Sequence, residues 1–170
     1  EHCSLNDAFK GRPYCQNTKE MFDTPTKYDK NNLFQKGNYK IDESRIIKKY
    51  ESPLVKVDEN TFIEGKWRMN PNDQLVNKQY NYPFPFMHNK PFFDKQFIDD
   101  LNAIMNSNKK YACQFNERQQ CVLCSQPLGN MEYTIQKGNT KFIFNNSILH
   151  YYIAHNVWPS KEFYQFIKNY

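Results

Sequence analysis

Apolar positions along this chain change their rhythm as the chain proceeds. Over residues 1–40 rings recur at Phe9, Tyr14, Phe22, Tyr28, Phe34 and Tyr39 with neither a helical nor a strand period. Gly11-Arg12-Pro13 and Thr24-Pro25 break the stretch further, so it buries little of itself. It reads either as an extended arm laid on this protein's own body or a partner, or as a loosely ordered tail. Asp42 to Tyr50 reads as a short helix, with Asp42 as N-cap, Lys48 and Lys49 in the last turn, and Ile46, Ile47 and Tyr50 on one face. Leu54–Val57 and Thr61–Ile63 read as short strands, with Glu59-Asn60 as a turn. Tyr82-Pro83-Phe84-Pro85-Phe86 is too proline-rich for the middle of a sheet. Its rings either cap this protein's own core or lodge in a partner's groove.

A helical period starts at Pro91. Phe93, Phe97, Leu101 and Ile104 recur every three or four residues, joined by Ile98 and Met105. Asp94, Asp99 and Asp100 near its start and Lys109 and Lys110 after its end suit the helix dipole. With no histidine or second carboxylate cluster nearby, the acidic trio reads as a solvated face rather than acid–base machinery. From Tyr111 a strand period takes over. Tyr111–Phe115 is one strand, and Met131–Ile135 alternates with Met131, Tyr133 and Ile135 on one face. Lys137-Gly138-Asn139 turns the chain into a returning strand, Lys141–Phe144. Ser147 or Asn146 can cap a helix carrying Ile148, Leu149, Tyr152 and Ile153, and Ser160 can cap a last helix with Phe163, Phe166 and Ile167.

This last section also holds the chemistry. Cys121 and Cys124 form C-x2-C, and His150 and His155 form H-x4-H after twenty-five intervening residues. Two thiolates and two imidazoles complete a tetrahedral set for Zn²⁺, with no position left for water or substrate. The reading is one structural zinc ion bound by these four side chains. The alternative is two buried thiols and two helix histidines. On a regular helix, residues five apart point about 140° away from each other. Both histidines therefore reach one ion only if the helix ends near His155, and Asn156 and Pro159 are suitable stop signals. The gap is about twice the roughly twelve residues of a DNA-reading finger, and leaves room for a hairpin.

Composition adjusts this picture. Aromatics are 16% of the chain against a hydrophobic share of 39%, so much of the core must be Phe and Tyr. The net charge of +5 is spread along the chain, and residues 111–170 carry five basic and three acidic side chains. A concentrated basic face for nucleic acid is not evident in that pattern. Abundant Asn and Lys resemble the usage of an A+T-rich genome, such as that of some large DNA viruses. Five cysteines are an odd number, unlike a dense secreted disulfide framework. Metal-held thiolates imply a reducing intracellular compartment, cytoplasm or nucleus, or a virion. Cys113 reads as a spare buried thiol. Cys3 and Cys15 can pair, or join His2 in a second metal site. His88 has no assignable partner and reads as exposed. No apolar run approaches 18 residues, so no membrane span is expected.

Three stretches near the C-terminus carry a resemblance: Asn130-Met131-Glu132-Tyr133, Leu149-His150-Tyr151, and His155 through Phe163. With the Cys121/Cys124 knuckle they resemble a small group of uncharacterised proteins in which C-x2-C precedes H-Y-x-x-x-H-x-V-x-P. The group is richer in Trp and Gly before the first histidine, where this chain has Phe142-Ile143-Phe144-Asn145-Asn146. Residues 1–80 have no counterpart. The resemblance implies a shared zinc-finger-like fold and no known activity.

The expected fold is α+β: a small zinc-stabilised module of hairpin plus helices with a long, largely irregular aromatic N-terminal extension. Residues 1–90 form the arm with its short helix and strands, 91–110 the amphipathic helix, and 111–170 the module. The expected function is that of a non-enzymatic structural or interaction protein, its arm wrapped on protein partners in a large assembly such as a virion. A nucleic-acid-binding zinc finger is the alternative, with Arg118, Lys137, Lys141 and Lys161 on one side and Tyr151 and Trp158 for stacking. A zinc-dependent hydrolase or nuclease comes next. It lacks an open metal position, an HExxH, a phosphate loop and a Ser/His/Asp set.

Overall fold

The computed structural model describes residues 41–72, 82–92, 94–108 and 110–170. The expectations for residues 1–40, with His2, Cys3 and Cys15 among them, and for Phe93 and Lys109 lie outside the described residues. The fold is mixed α+β. Five strands form one sheet: β1 (Leu54–Asp58), β2 (Thr61–Glu64), β3 (Tyr111–Gln114), β4 (Met131–Lys137) and β5 (Thr140–Asn145). Their order is β1-β2-β5-β4-β3. Neighbours run antiparallel except β2 and β5, which are parallel with Phe62 beside Phe142. Three helices follow the chain: α1 (Lys95–Met105), α2 (Ile148–Ala154) and α3 (Lys161–Lys168).

Period-two alternation decides which face of the sheet is covered. Tyr133 and Ile135 on β4, and Phe142 and Phe144 on β5, point to one side and are buried. Helix α1 brings Phe97, Ile98, Leu101 and Ile104 to that side, and α3 brings Phe163 and Ile167. The core is largely aromatic, as the composition required. Phe97 stacks on Tyr164 at 5.1 Å and meets Phe163 edge-on at 6.1 Å. Such offset and edge-on pairs add about 0.5–1.5 kcal/mol each beyond the area they bury.

Helix α1 begins at Lys95, not at Pro91. Asp94 is the N-cap and accepts the amide of Phe97 at 2.9 Å. Its second oxygen accepts from the Tyr164 hydroxyl and from Lys168 Nζ, tying α1 to α3. Asp99 pairs with Lys95 at 2.8 Å, and Asp100 accepts from Gln96 at 2.8 Å. The acidic trio is spent on capping and pairing along the helix surface.

Between Asp42 and Tyr50 only Glu43–Arg45 makes a helical turn, and that turn is 3-10. Asp42 caps it, but Ile46 is already extended at φ −91°, ψ 119°. A nine-residue helix is marginal without tertiary support. Here the apolar side chains Ile41, Ile46 and Ile47 gain more by spreading over the second core described below. The strands at 54–58 and 61–64, in the segment read as an arm, are one hairpin that extends the sheet of residues 111–145. Phe84 and Phe86 are buried in this protein's own core. Glu51 holds that segment in place, binding Arg68 through both oxygens and accepting the amide of Phe84 at 3.1 Å. Arg68 beside it keeps the Glu51 carboxyl below its usual range.

The exit from β2 requires glycine. Gly65 sits at φ +71°, and a Cβ there would lie 2.8 Å from Ile148 Cδ1. Gly65→Ala is expected to destabilise the protein by about 1–3 kcal/mol, from left-handed strain plus displacement of Ile148. Gly138, also at positive φ but with open space around it, is the control. Urea midpoints that rank Gly138→Ala as the costlier change would refute this packing argument.

Candidate metal centre

The four expected ligands come from two separate pieces of chain. The knuckle follows β3. The Leu128 amide donates to the Gln119 carbonyl at 2.7 Å and the Gln119 amide to the Gly129 carbonyl at 3.1 Å, closing a narrow loop around residues 120–127. At its tip the Ser125 amide returns to the Cys121 carbonyl at 2.9 Å, and the Cys121 amide binds the Gln126 carbonyl at 2.9 Å. Ser125 takes φ 63°, which turns the chain back sharply. The Leu123 amide donates to Cys121 Sγ at 3.4 Å.

The histidines come from the end of α2. His150 lies on the helix, and His155 is its C-cap at φ −126°, ψ 13°. Leaving helical geometry removes the angular mismatch expected for a spacing of five. Asn156 then takes φ 54°, the left-handed stop anticipated from its residue type. The imidazoles meet at 80° with centroids 4.8 Å apart.

The donor atoms converge. His150 Nε2 lies 3.1 Å from His155 Nε2 and 3.4 Å from Cys124 Sγ. All four donors, with Cys121 Sγ, lie within 4.8 Å of one another. A tetrahedral ion with Zn–N near 2.05 Å and Zn–S near 2.3 Å needs N···N of about 3.3 Å and S···N of about 3.6 Å. The His150–His155 and His150–Cys124 separations are a few tenths of an ångström from those values, and the four donors together span no more than 4.8 Å, so the set could close on a small cation. Among the described residues this is the grouping that can hold a metal ion.

Electrostatics agree with a cation. Burial holds the His150 imidazole down at about 4, and burial with the His150 ring beside it holds His155 at about 3. Both rings are therefore neutral and have a lone pair to offer at neutral pH. Burial, and then Cys121 alongside, pushes the Cys124 thiol up to about 11. A divalent cation beside Cys124 would favour its thiolate, the form that ligates.

Several supporting residues carried no signal in the sequence. The Tyr151 hydroxyl accepts the Val122 amide at 2.9 Å, joining α2 to the knuckle. Arg45 donates Nε to the Val122 carbonyl and further bonds to Asn70 Oδ1 and the Met69 carbonyl. Around them Phe84, Met87, Val122, Leu123, Leu128 and Val157 form a second apolar core, distinct from that of the sheet. No local period points from Arg45 to a partner seventy-seven residues away.

His88 is packed, contrary to the expectation of exposure. It stacks on Trp158 at 4.8 Å and meets Phe86 edge-on at 5.0 Å. Burial lowers its imidazole to about 4. Its backbone amide binds the Asn156 carbonyl at 3.0 Å, and Asn156 Nδ2 returns to the His88 carbonyl at 3.3 Å. Residue 88 thus fastens the residue that follows His155. Cys113, expected to be buried, is exposed on β3. Tyr151 and Trp158 are both buried, Arg118 Nε is turned inward to the Leu128 carbonyl, and Lys137 Nζ binds the Asn169 carbonyl. No helix among the described residues is long and apolar enough to cross a membrane. No family model, curated protein or solved structure matches the chain.

Proposed function

We propose that this chain is a non-enzymatic structural and interaction protein whose Cys121, Cys124, His150 and His155 bind one zinc ion as a clamp. The observation that carries the reading is the convergence of four protein donors, two of sulfur and two of nitrogen, within 4.8 Å of one another. Four protein ligands leave no coordination site for water or substrate, which a hydrolase or nuclease needs. The clamp would fasten the knuckle to α2, which Tyr151 also joins to Val122, and Arg45 ties residues 41–47 to the same knuckle. The aromatic residues of 1–40 would then be presented from this fixed base to protein partners in an assembly, such as a virion. Thiolate ligation would suit a reducing intracellular compartment.

The test is elemental analysis of the purified full chain. One equivalent of zinc is expected, with large losses in Cys121→Ser and His155→Ala. Folded protein without metal, or a Cys121–Cys124 disulfide, would overturn the assignment.

A further inference from the structure

The two edges of the sheet are built differently. β1 follows Pro53, carries Lys56 and Asp58, and its register with β2 shifts between those two residues. Proline, charge and a bulge are the usual ways a protein blocks an edge against further pairing. β3 has none of them. Its sequence is Tyr-Ala-Cys-Gln, all four residues are exposed, and among the described residues it pairs with β4 alone. Tyr111 is 71% exposed and Phe115, just beyond the strand, 41%, two of the largest apolar exposures in the described chain.

The backbone of this edge is already set for a partner. Phe115 turns both its amide and its carbonyl toward Asn130 on the β4 side. By the alternation of an antiparallel ladder, Cys113 and Tyr111 face β4 as well, and Ala112 and Gln114 face outward. The side chains of Tyr111, Cys113 and Phe115 share one face of the sheet, aromatic–x–Cys–x–aromatic, a pattern symmetric about Cys113. Lys110 precedes the strand and Glu117 follows it.

We infer that β3 is a dimer interface, pairing antiparallel with β3 of a second copy about a two-fold axis at Cys113. In that register Ala112 and the second copy's Gln114 exchange amide and carbonyl, and the same pair forms across the axis. Tyr111 lies opposite the second copy's Phe115 on the open face, an aromatic cross-strand pair. The basic end of each strand meets the acidic end of the other. The two Cys113 residues face each other in a non-hydrogen-bonded pair with Cα atoms about 4.5 Å apart, within reach of a disulfide. The two sheets become one.

Sedimentation of the full chain under reducing conditions tests this, together with cross-linking by copper-phenanthroline as oxidant and peptide mapping. A concentration-dependent dimer is expected, with a Cys113–Cys113 peptide on oxidation. Tyr111→Asp and Ala112→Pro, the latter removing an outward donor, should each yield monomer with near-unchanged thermal midpoints. Gln119→Lys, outside the strand, should leave the dimer intact. A monomer at every concentration reached, or a dimer that survives both substitutions and gives no Cys113–Cys113 peptide, overturns the inference.

Discussion

Cys121→Ser is expected to unfold one half of the molecule before the other. Cys121 is buried at the centre of the second core, and its neighbours in that core come from residues 41–47, 84–87, 121–128 and 151–157. Few of these contacts belong to a regular element. The knuckle is a loop, the 41–47 segment a single turn, and the 87–88 segment joins 156–157 through one bridge. Such segments bury little on their own to repay their ordering entropy, and on the proposed reading an ion that draws four donors together supplies the difference. Structural zinc contributes about 10–16 kcal/mol in small finger domains, comparable with the entire 5–15 kcal/mol stability of an ordinary domain. Losing one thiolate is expected to forfeit most of that. In hydrogen exchange, protection should drop together at residues 41–47, 121–128 and 155–157. The amides of β4 and β5, held by the aromatic core of the sheet, should keep theirs. A strong chelator should reproduce the same map in the unsubstituted protein. If Cys121→Ser costs under about 1 kcal/mol, in the range of a conservative substitution without metal loss, the cluster is packed thiols and imidazoles only.

The parts readable from the sequence were those in which neighbours along the chain are also neighbours in space. Alternation at Met131–Ile135 placed Tyr133 and Ile135 inward, Gly138 turned the hairpin, and Ser160 capped α3. The gathering of Cys121, Cys124, His150 and His155, which could hold a metal ion, was readable because coordination chemistry restricts both residue type and spacing. Contacts between distant segments were not readable. The parallel pairing of β2 with β5 joins residues about eighty apart. His88 looked exposed because nothing near it along the chain offered a partner, and only the arrival of Trp158 and Asn156 packs it. The helix expected at 42–50 failed for the opposite reason. Its propensity was adequate, but tertiary burial of its isoleucines on the knuckle and the bonds of Arg45 outweighed it.

Glu64 is the other residue whose replacement should be conspicuous, and its effect should change with pH. Parallel pairing puts Phe62 beside Phe142 with their rings 5.2 Å apart, so alternation carries Glu64 to the same helix-covered face. It is fully buried there, and its two oxygens face the Ser160 amide and hydroxyl, each at 2.8 Å. Ser160 in turn caps α3 by accepting the Phe163 amide. Burial raises the Glu64 carboxyl to about 8, against the opposing pull of the Ser160 bonds. The folded protein therefore holds this proton at neutral pH, whereas the unfolded chain has released it above the ordinary glutamate value of 4.5. Stability depends on pH in proportion to protons bound when unfolded minus protons bound when folded, and here that difference is negative. Glu64's contribution is complete below the unfolded value and is lost progressively as pH rises from 4.5 through about 8. The slope is at most about 1.4 kcal/mol per pH unit, with a ceiling of about 5 kcal/mol across the window. Glu64→Gln keeps the shape and one acceptor for Ser160 but cannot ionise. Its urea midpoint should match the unsubstituted protein near pH 5 and exceed it increasingly toward pH 8. Titrations of the histidines and thiols are common to both proteins and cancel in the difference. Parallel stability curves, or a variant weaker by a constant amount at every pH, would mean that Glu64 is a carboxylate held by Ser160 and not a buried acid.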